Sequence, residues 1–207
     1  LDNEQVAYFK AVCSTIPDPR GNASLIVGKL VDVTLEVAER NELLVKSQID
    51  GLTGLYNAET SKQLIMDQIR SKPQGQLDAL ILVDCDNFKN VNDTLGHLAG
   101  NALLQSVAES LQATFRSSDI MGRIGGDEFV VYLKDVPSAE FVLQRCNQIK
   151  ITRSPNLKGM RPTLSMGIAL VKAKEAYDAI FNKADTALYQ AKRQGKDQVS
   201  LYLGATG

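Results

Sequence analysis

Two groups of acids in this chain stand where carboxylates do chemistry. Asp84 ends an apolar run that begins at Asp78, and a carboxylate on a rigid strand end is well placed to hold a hard cation. The residues that follow, in DCDNFKNVNDTLGH, read as a loop that turns backbone N–H groups toward phosphate. Asp86 shares the face of Asp84 only if the chain stays extended there, because side chains two apart in a strand point the same way. The second group is Asp127 with Glu128, preceded by Gly125 and Gly126, which permit turn geometry closed to other residues and let a ligand approach the backbone. Taken alone, Gly-Gly-Asp-Glu reads as a solvated turn. Brought beside Asp84 it would gather three carboxylates, which repel one another unless divalent cations neutralise them. Such a site implies magnesium and a phosphate-bearing substrate.

The elements that would position these acids follow from periodicity. An amphipathic helix is expected over roughly Ala58 to Ser71, with Leu64, Ile65 and Ile69 inward. Asp78 to Asp84 reads as a buried central strand, and Leu104, Val107, Ala108, Leu111 and Phe115 as a long helix. Asp119 to Ile124 and Phe129 to Leu133 are strands around the Gly-Gly turn, a hairpin with acids at its tip. Val142, Leu143, Cys146 and Ile149 mark another helix, Thr163 to Leu170 a strand, Tyr177 to Ala191 a helix, and Gln198 to Leu203 a last strand. This order predicts an α+β fold, a mixed central sheet with helices around it, arranged as a sandwich with one helical face and with strand order left open.

Composition removes several alternatives. A net charge of −1 gives no basic field for nucleic acid, and apolar runs such as Ala79 to Val83 fall far short of a membrane span. With no secretory signal visible, the expected compartment is the cytoplasm. Cys13, Cys85 and Cys146 are widely spaced with no CxxC pair, and with His97 as the single histidine they point away from zinc.

Residues 1 to about 29 suggest strand, turn and strand around Pro17, Pro19, Gly21 and Gly28, a hairpin too small to fold alone. RGNASLIVGKLVDVT, from Arg20 to Thr34, resembles the last strand of a PAS sensor domain and its exit into a helix; an ordinary N-terminal extension is the alternative. From about Leu30 to Gln48 helix is expected. Leu30, Val37 and Leu44 recur every seven residues, as in a seam with a second copy or in a single helix packed on its own domain. The expected divisions are therefore 1–29, 30–48 and 49–207.

DGLTGLYN (Asp50 to Asn57), DCDNFKNVNDTLGHLAGN (Asp84 to Asn101), RIGGDEF (Arg123 to Phe129), TLSMGIA (Thr163 to Ala169) and ADTALYQAKRQGK (Ala184 to Lys196) resemble GGDEF domains, in family order. The resemblance implies a fold like the palm of nucleotidyl cyclases and polymerases. It also implies a diguanylate cyclase that joins two GTP molecules into the bacterial second messenger cyclic di-GMP, releasing pyrophosphate. Each protomer of a homodimer would present one GTP to the other. By the same resemblance Asp84, the carbonyl of Cys85, Asp127 and Glu128 hold magnesium, or manganese in its place, and Asp127 or Glu128 takes the proton from the ribose 3′-hydroxyl. Asn87, Phe88 and Lys89 resemble the loop that wraps the phosphates, with Gly125 and Gly126 beside it. Lys192 and Lys196 match two cationic phosphate contacts, the second commonly arginine.

Asn92 matches the asparagine that reads the guanine edge. Asn101 departs from the family, which usually has aspartate there, and so leaves guanine selection open. It also motivates a second reading, a catalytically weak or inactive module that binds GTP or cyclic di-GMP as a signalling receptor. Arg116 to Asp119, RSSD, lies where the family's product-inhibition motif is found, with the usual second arginine aligned near Gln148 and Arg145 one turn away. Arg123 and Asp50 are expected to pair, again from the family pattern.

Overall fold

Strand-forming residues extend further at the N-terminus than the periodicity suggests. The computed structural model describes residues 6–17, 20, 23–38, 47–149, 151, 160–172 and 174–204, and the chain divides into two units after Ser47. In the first unit β1 (Phe9–Pro17) pairs antiparallel with β2 (Ala23–Asp32). Leu30 and Val31, expected to open a helix, instead pair with Ala11 and Lys10, because the ladder continues to Phe9 opposite Asp32. Among the described residues helix begins at residue 34 and runs through 38. The seven-residue seam thus loses Leu30 to a strand, while Leu44, Pro19 and Gly21 lie outside the described residues.

The second unit begins with a turn stapled by Asp50 and leads into α1 (Ala58–Ser71), capped by Asn57 Oδ1, which accepts from the Thr60 amide. There follow β3 (Asp78–Cys85), α2 (Phe88–Leu95), α3 (His97–Thr114), β4 (Ile120–Arg123) and β5 (Glu128–Leu133). The chain continues through α4 (Ala139–Asn147), β6 (Leu164–Val171), α5 (Tyr177–Arg193) and β7 (Val199–Leu201). The sheet order is β4-β5-β3-β6-β7, antiparallel throughout except for the parallel pair β6–β7.

Helices cover both faces of this mixed sheet, which corrects the expectation of one helical face. Ile81 and Val83 of β3 pack with Leu103, Val107 and Leu111 of α3 and Val142 of α4. Leu80 and Leu82 pack on the other side with Ile65 of α1 and Ile180, Ala184 and Leu188 of α5. Successive strand residues point to opposite faces, so a run as uniformly apolar as Ala79–Val83 must be buried twice. At Gly167 the helix α5 lies directly on β6: a Cβ there would come within 2.2 Å of the Ala184 carbonyl and the Leu188 amide. Among the described residues no helix is long and apolar enough to cross a membrane.

Candidate functional site

Asp84 stands near the end of β3, opposite Glu128 of β5 on one side and Ser165 of β6 on the other. Directly opposed residues of an antiparallel pair share a face, so Asp84 and Glu128 project toward the side covered by α5. Close packing at Gly167 seats that helix low enough for Lys192, one turn beyond Leu188, to donate from Nζ to Asp84 Oδ2 at 2.6 Å. The amide of Cys85 donates to the carbonyl of Asp127 at 3.2 Å, which ties the hairpin tip to the end of β3. Partial burial and the negative charge of Asp84 raise the Asp127 carboxyl above the usual carboxylate range, and Lys192 and Arg123 offset this in part. The Cys85 thiol is buried on the opposite face, and burial followed by the surrounding aspartates pushes its ionisation far up. Only the backbone of Cys85 is therefore suited to the site.

The donors suit a hard divalent cation: carboxylate oxygens and a carbonyl, with two carboxylates whose mutual repulsion a cation would relieve. Among the described residues no group of three or more His, Cys, Asp or Glu is assembled as a metal cluster. Lys192 neutralises Asp84, and Glu128 folds back over its own hairpin, so that a Cβ on Gly125 would meet Glu128 Oε2 at 2.6 Å. Gly125 and Gly126 do not adopt the left-handed backbone expected of them. A side chain at Gly125 would displace only the flexible end of Glu128, and Gly126 has open space where a Cβ would point.

Arg123 braces the tip from behind. Its guanidinium donates to the Gly126 carbonyl at 2.7 Å and to both oxygens of Asp50 at 3.2 Å. Burial alone would raise the Asp50 carboxyl, but hydrogen bonds from Thr53 and the charge of Arg123 outweigh it and hold the group below its ordinary 3.8. A carboxylate with a depressed folded value stabilises the fold above its unfolded value and loses that contribution as pH falls through the folded one. Asp50→Asn should therefore lower the melting temperature at neutral pH and flatten its decline below about pH 4. An acid limb identical to that of the parent, followed by circular dichroism, would contradict this.

The expected phosphate loop is in part a helix. Asn87 takes a left-handed conformation (φ 57°) and starts α2, whose first residues are Phe88 and Lys89. Its Oδ1 accepts from Lys196 Nζ at 2.7 Å, so a cation stands at the start of this helix, where amides also favour anions. Gly96 (φ 84°) separates α2 from α3. Asn92 and Gly100 then meet so closely that a Cβ on Gly100 would lie 2.0 Å from Asn92 Oδ1. Asn101, the next residue, is exposed, as is His97.

A family model described as diguanylate cyclase, GGDEF domain, matches residues 47–198. The chain belongs to the GGDEF family. It is 37% identical over 161 residues to the diguanylate cyclase DgcP of Pseudomonas aeruginosa, covering 75% of this chain and 24% of that protein. It is 31% identical over 190 residues to the diguanylate cyclase DosC of Escherichia coli, covering 88% and 40%. The chain thus spans less than half the length of these curated relatives. Among solved structures it resembles the coiled coil and GGDEF domain of DgcB from Caulobacter crescentus in complex with c-di-GMP, with TM-score 0.71, 28% identity, and coverage of 81% of this chain and 94% of that one. The GGDEF domain of TpbB (YfiN) from Pseudomonas aeruginosa gives TM-score 0.69 at 32% identity, covering 74% and 94%.

Elsewhere on this GGDEF domain, Arg116 and Asp119 line a cavity of about 230 Å³ with Arg145, Phe115 and Phe141. Asp119 is engaged by the chain itself, accepting from the amides of Arg116 at 2.9 Å and Lys134 at 3.3 Å. Arg145 reaches Gln148 at 3.5 Å, so arginine and the position aligned with the second arginine do meet.

Sequence reasoning passed over Gly100, Gly167 and the partners of Asp86. Both oxygens of Asp86 are occupied: Oδ1 by Ser165 Oγ at 2.7 Å, Oδ2 by Thr163 Oγ1 at 2.7 Å and the Asp197 amide at 3.0 Å. The signal was present in TLSMG, where Thr163 and Ser165 put two hydroxyls on one face of a strand that is otherwise apolar.

Proposed function

We propose that this domain is a diguanylate cyclase that condenses two GTP into cyclic di-GMP with release of pyrophosphate, acting in the cytoplasm as a homodimer. The observation that carries the reading is the convergence of Asp84, Asp127 and Lys192 beside the hairpin tip, with Lys196 and the start of α2 adjoining it. Asp84, the Cys85 carbonyl, Asp127 and Glu128 would hold magnesium or manganese, which supplies charge neutralisation at the α-phosphate and the departing pyrophosphate. Lys192 then exchanges Asp84 for phosphate oxygens, while Lys196, Asn87, Phe88 and Lys89 bind the outer phosphates. Gly126 leaves the space through which a phosphate approaches the backbone. Asp127 or Glu128 would take the 3′-hydroxyl proton. Each 3′-oxygen forms a bond to the other nucleotide's α-phosphorus as the bond to pyrophosphate breaks. Two half-sites must therefore face one another. Arg116 and Asp119, beside Arg145, form the candidate product-inhibition site.

Asn92 is proposed to read guanine, and Gly100 to give it room. Gly100→Ala should weaken GTP binding about 10-fold by calorimetry with a smaller effect on the melting temperature, because the Cβ presses chiefly on the half-buried Asn92 side chain and only at 3.3 Å on the Phe88 ring. An unchanged dissociation constant would separate Asn92 from the base.

The exposed Asn101 favours a second reading, a receptor that binds GTP or cyclic di-GMP without turnover. Asn101→Asp discriminates. Activity created only by the substitution identifies a receptor, and activity in both proteins identifies a cyclase that tolerates asparagine.

A further inference from the structure

Asp86 does not serve the site as a cation ligand, since both its oxygens are occupied by the protein and its residue is 3% exposed. What it holds is more informative. The Asp86 amide donates to the Thr163 carbonyl, extending the β3–β6 ladder one step beyond Cys85 opposite Leu164. Its carboxylate then takes the Thr163 and Ser165 hydroxyls of that strand and, across the sheet edge, the amide of Asp197.

Asp197 belongs to a turn that the backbone resists. Gly195, Lys196 and Asp197 have φ of 121°, 65° and 50°, three successive positive values of which two fall on residues with a Cβ. Left-handed conformations at such residues persist when surrounding bonds fix them. Here two backbone amides of the turn are bonded: the Lys196 amide to the Ala191 carbonyl at 3.1 Å, and the Asp197 amide to Asp86 at 3.0 Å. The outcome of this geometry is the direction of Lys196, whose ammonium reaches Asn87 at the start of α2.

We infer that Asp86 is a positioning residue that fixes the Gly195–Asp197 turn and so sets the Lys196 ammonium at the phosphate end of the nucleotide site. The inference rests on reading that end as a nucleotide site. It acts on binding rather than on bond making, because Lys196 lies with the helix start and not on Asp84. Asp86→Asn keeps one acceptor oxygen and presents an amide to a hydroxyl that can accept, so it should be milder than Asp86→Ala.

The test combines amide hydrogen exchange at Asp197, without nucleotide, with steady-state kinetics on GTP and magnesium. Asp86→Asn should speed exchange at Asp197 and raise KM for GTP about 5-fold with kcat within about 2-fold, and Asp86→Ala should raise KM further. In Lys196→Met, adding Asp86→Asn should cost nothing more, because the lysine it positions is gone. Thr163→Val, which spares the carboxylate, gives a second route should Asp86→Ala fail to fold, and should loosen the same turn less. Unchanged exchange at Asp197 overturns the inference, as does a loss in kcat alone or a full additional loss on top of Lys196→Met. If exchange responds but the parent protein neither binds nor converts GTP, Asp86 still holds the turn and the nucleotide reading alone falls.

Discussion

Asp84→Asn should reduce cyclic di-GMP formation by about 10³-fold while leaving the domain folded. The substitution keeps the shape of a side chain set between β5 and β6, so the ladder on both sides survives. It removes the charge that pairs with Lys192, but that lysine side chain is about a third exposed and can turn to water, so little stability is lost. The chemical loss is larger because the carboxylate at the end of β3 has no substitute: Glu128 projects from the neighbouring strand, and Asp127 is held at the hairpin tip. Product formation by chromatography and thermal unfolding of the same sample check both halves. A variant with parental turnover would remove Asp84 from the reaction.

The largest effect on the fold is expected at Gly167. The atoms that a new Cβ would meet are the Ala184 carbonyl and Leu188 amide at 2.2 Å and the Leu188 Cα at 2.7 Å, all backbone of α5. A side chain could rotate away, but a helix must move as a body. Moving it opens the packing of Ile180, Ala184 and Leu188 against Leu80 and Leu82. Gly167→Val should therefore cost about 3 kcal/mol or more in urea unfolding, at the upper end of overpacking effects, and Gly167→Ala most of that. Activity should fall with it, since the same helix carries Lys192. An alanine variant with an unchanged midpoint would mean that α5 is not seated as described.

Much of the site was legible because its residues are local punctuation in strong patterns. The run from Asp78 to Cys85 is so apolar that Asp84 stands out at its end, and Gly125 to Phe129 sits between two strand-forming segments. What periodicity left out is what depends on contacts between distant segments. The pairing of α5 with β6 turns on a missing side chain at Gly167, and absence leaves no period. The segment after Asp84 reads as a loop that turns amides toward phosphate, yet Phe88–Leu95 is helical between two positive-φ residues, Asn87 and Gly96, and its Asn90, Asn92 and Asp93 are residues that favour turns over helix. Asp86 is placed by the sequence on the face of Asp84 only on condition of an extended chain. Its hydroxyl partners lie far along the chain, and they distinguish a cation ligand from a brace. At the N-terminus, the spacing of Leu30 and Val37 fitted a helix, whereas strand pairing with β1 claimed Leu30.

The convergence of Asp84, Asp127 and Lys192 first offered only charge and position, and chemistry decides it. Incubating the protein with GTP and magnesium across a range of protein concentrations, with dimer formation followed in parallel and products read by mass spectrometry, should yield cyclic di-GMP and pyrophosphate. Formation of the dimer with no cyclic dinucleotide at any concentration would contradict the cyclase.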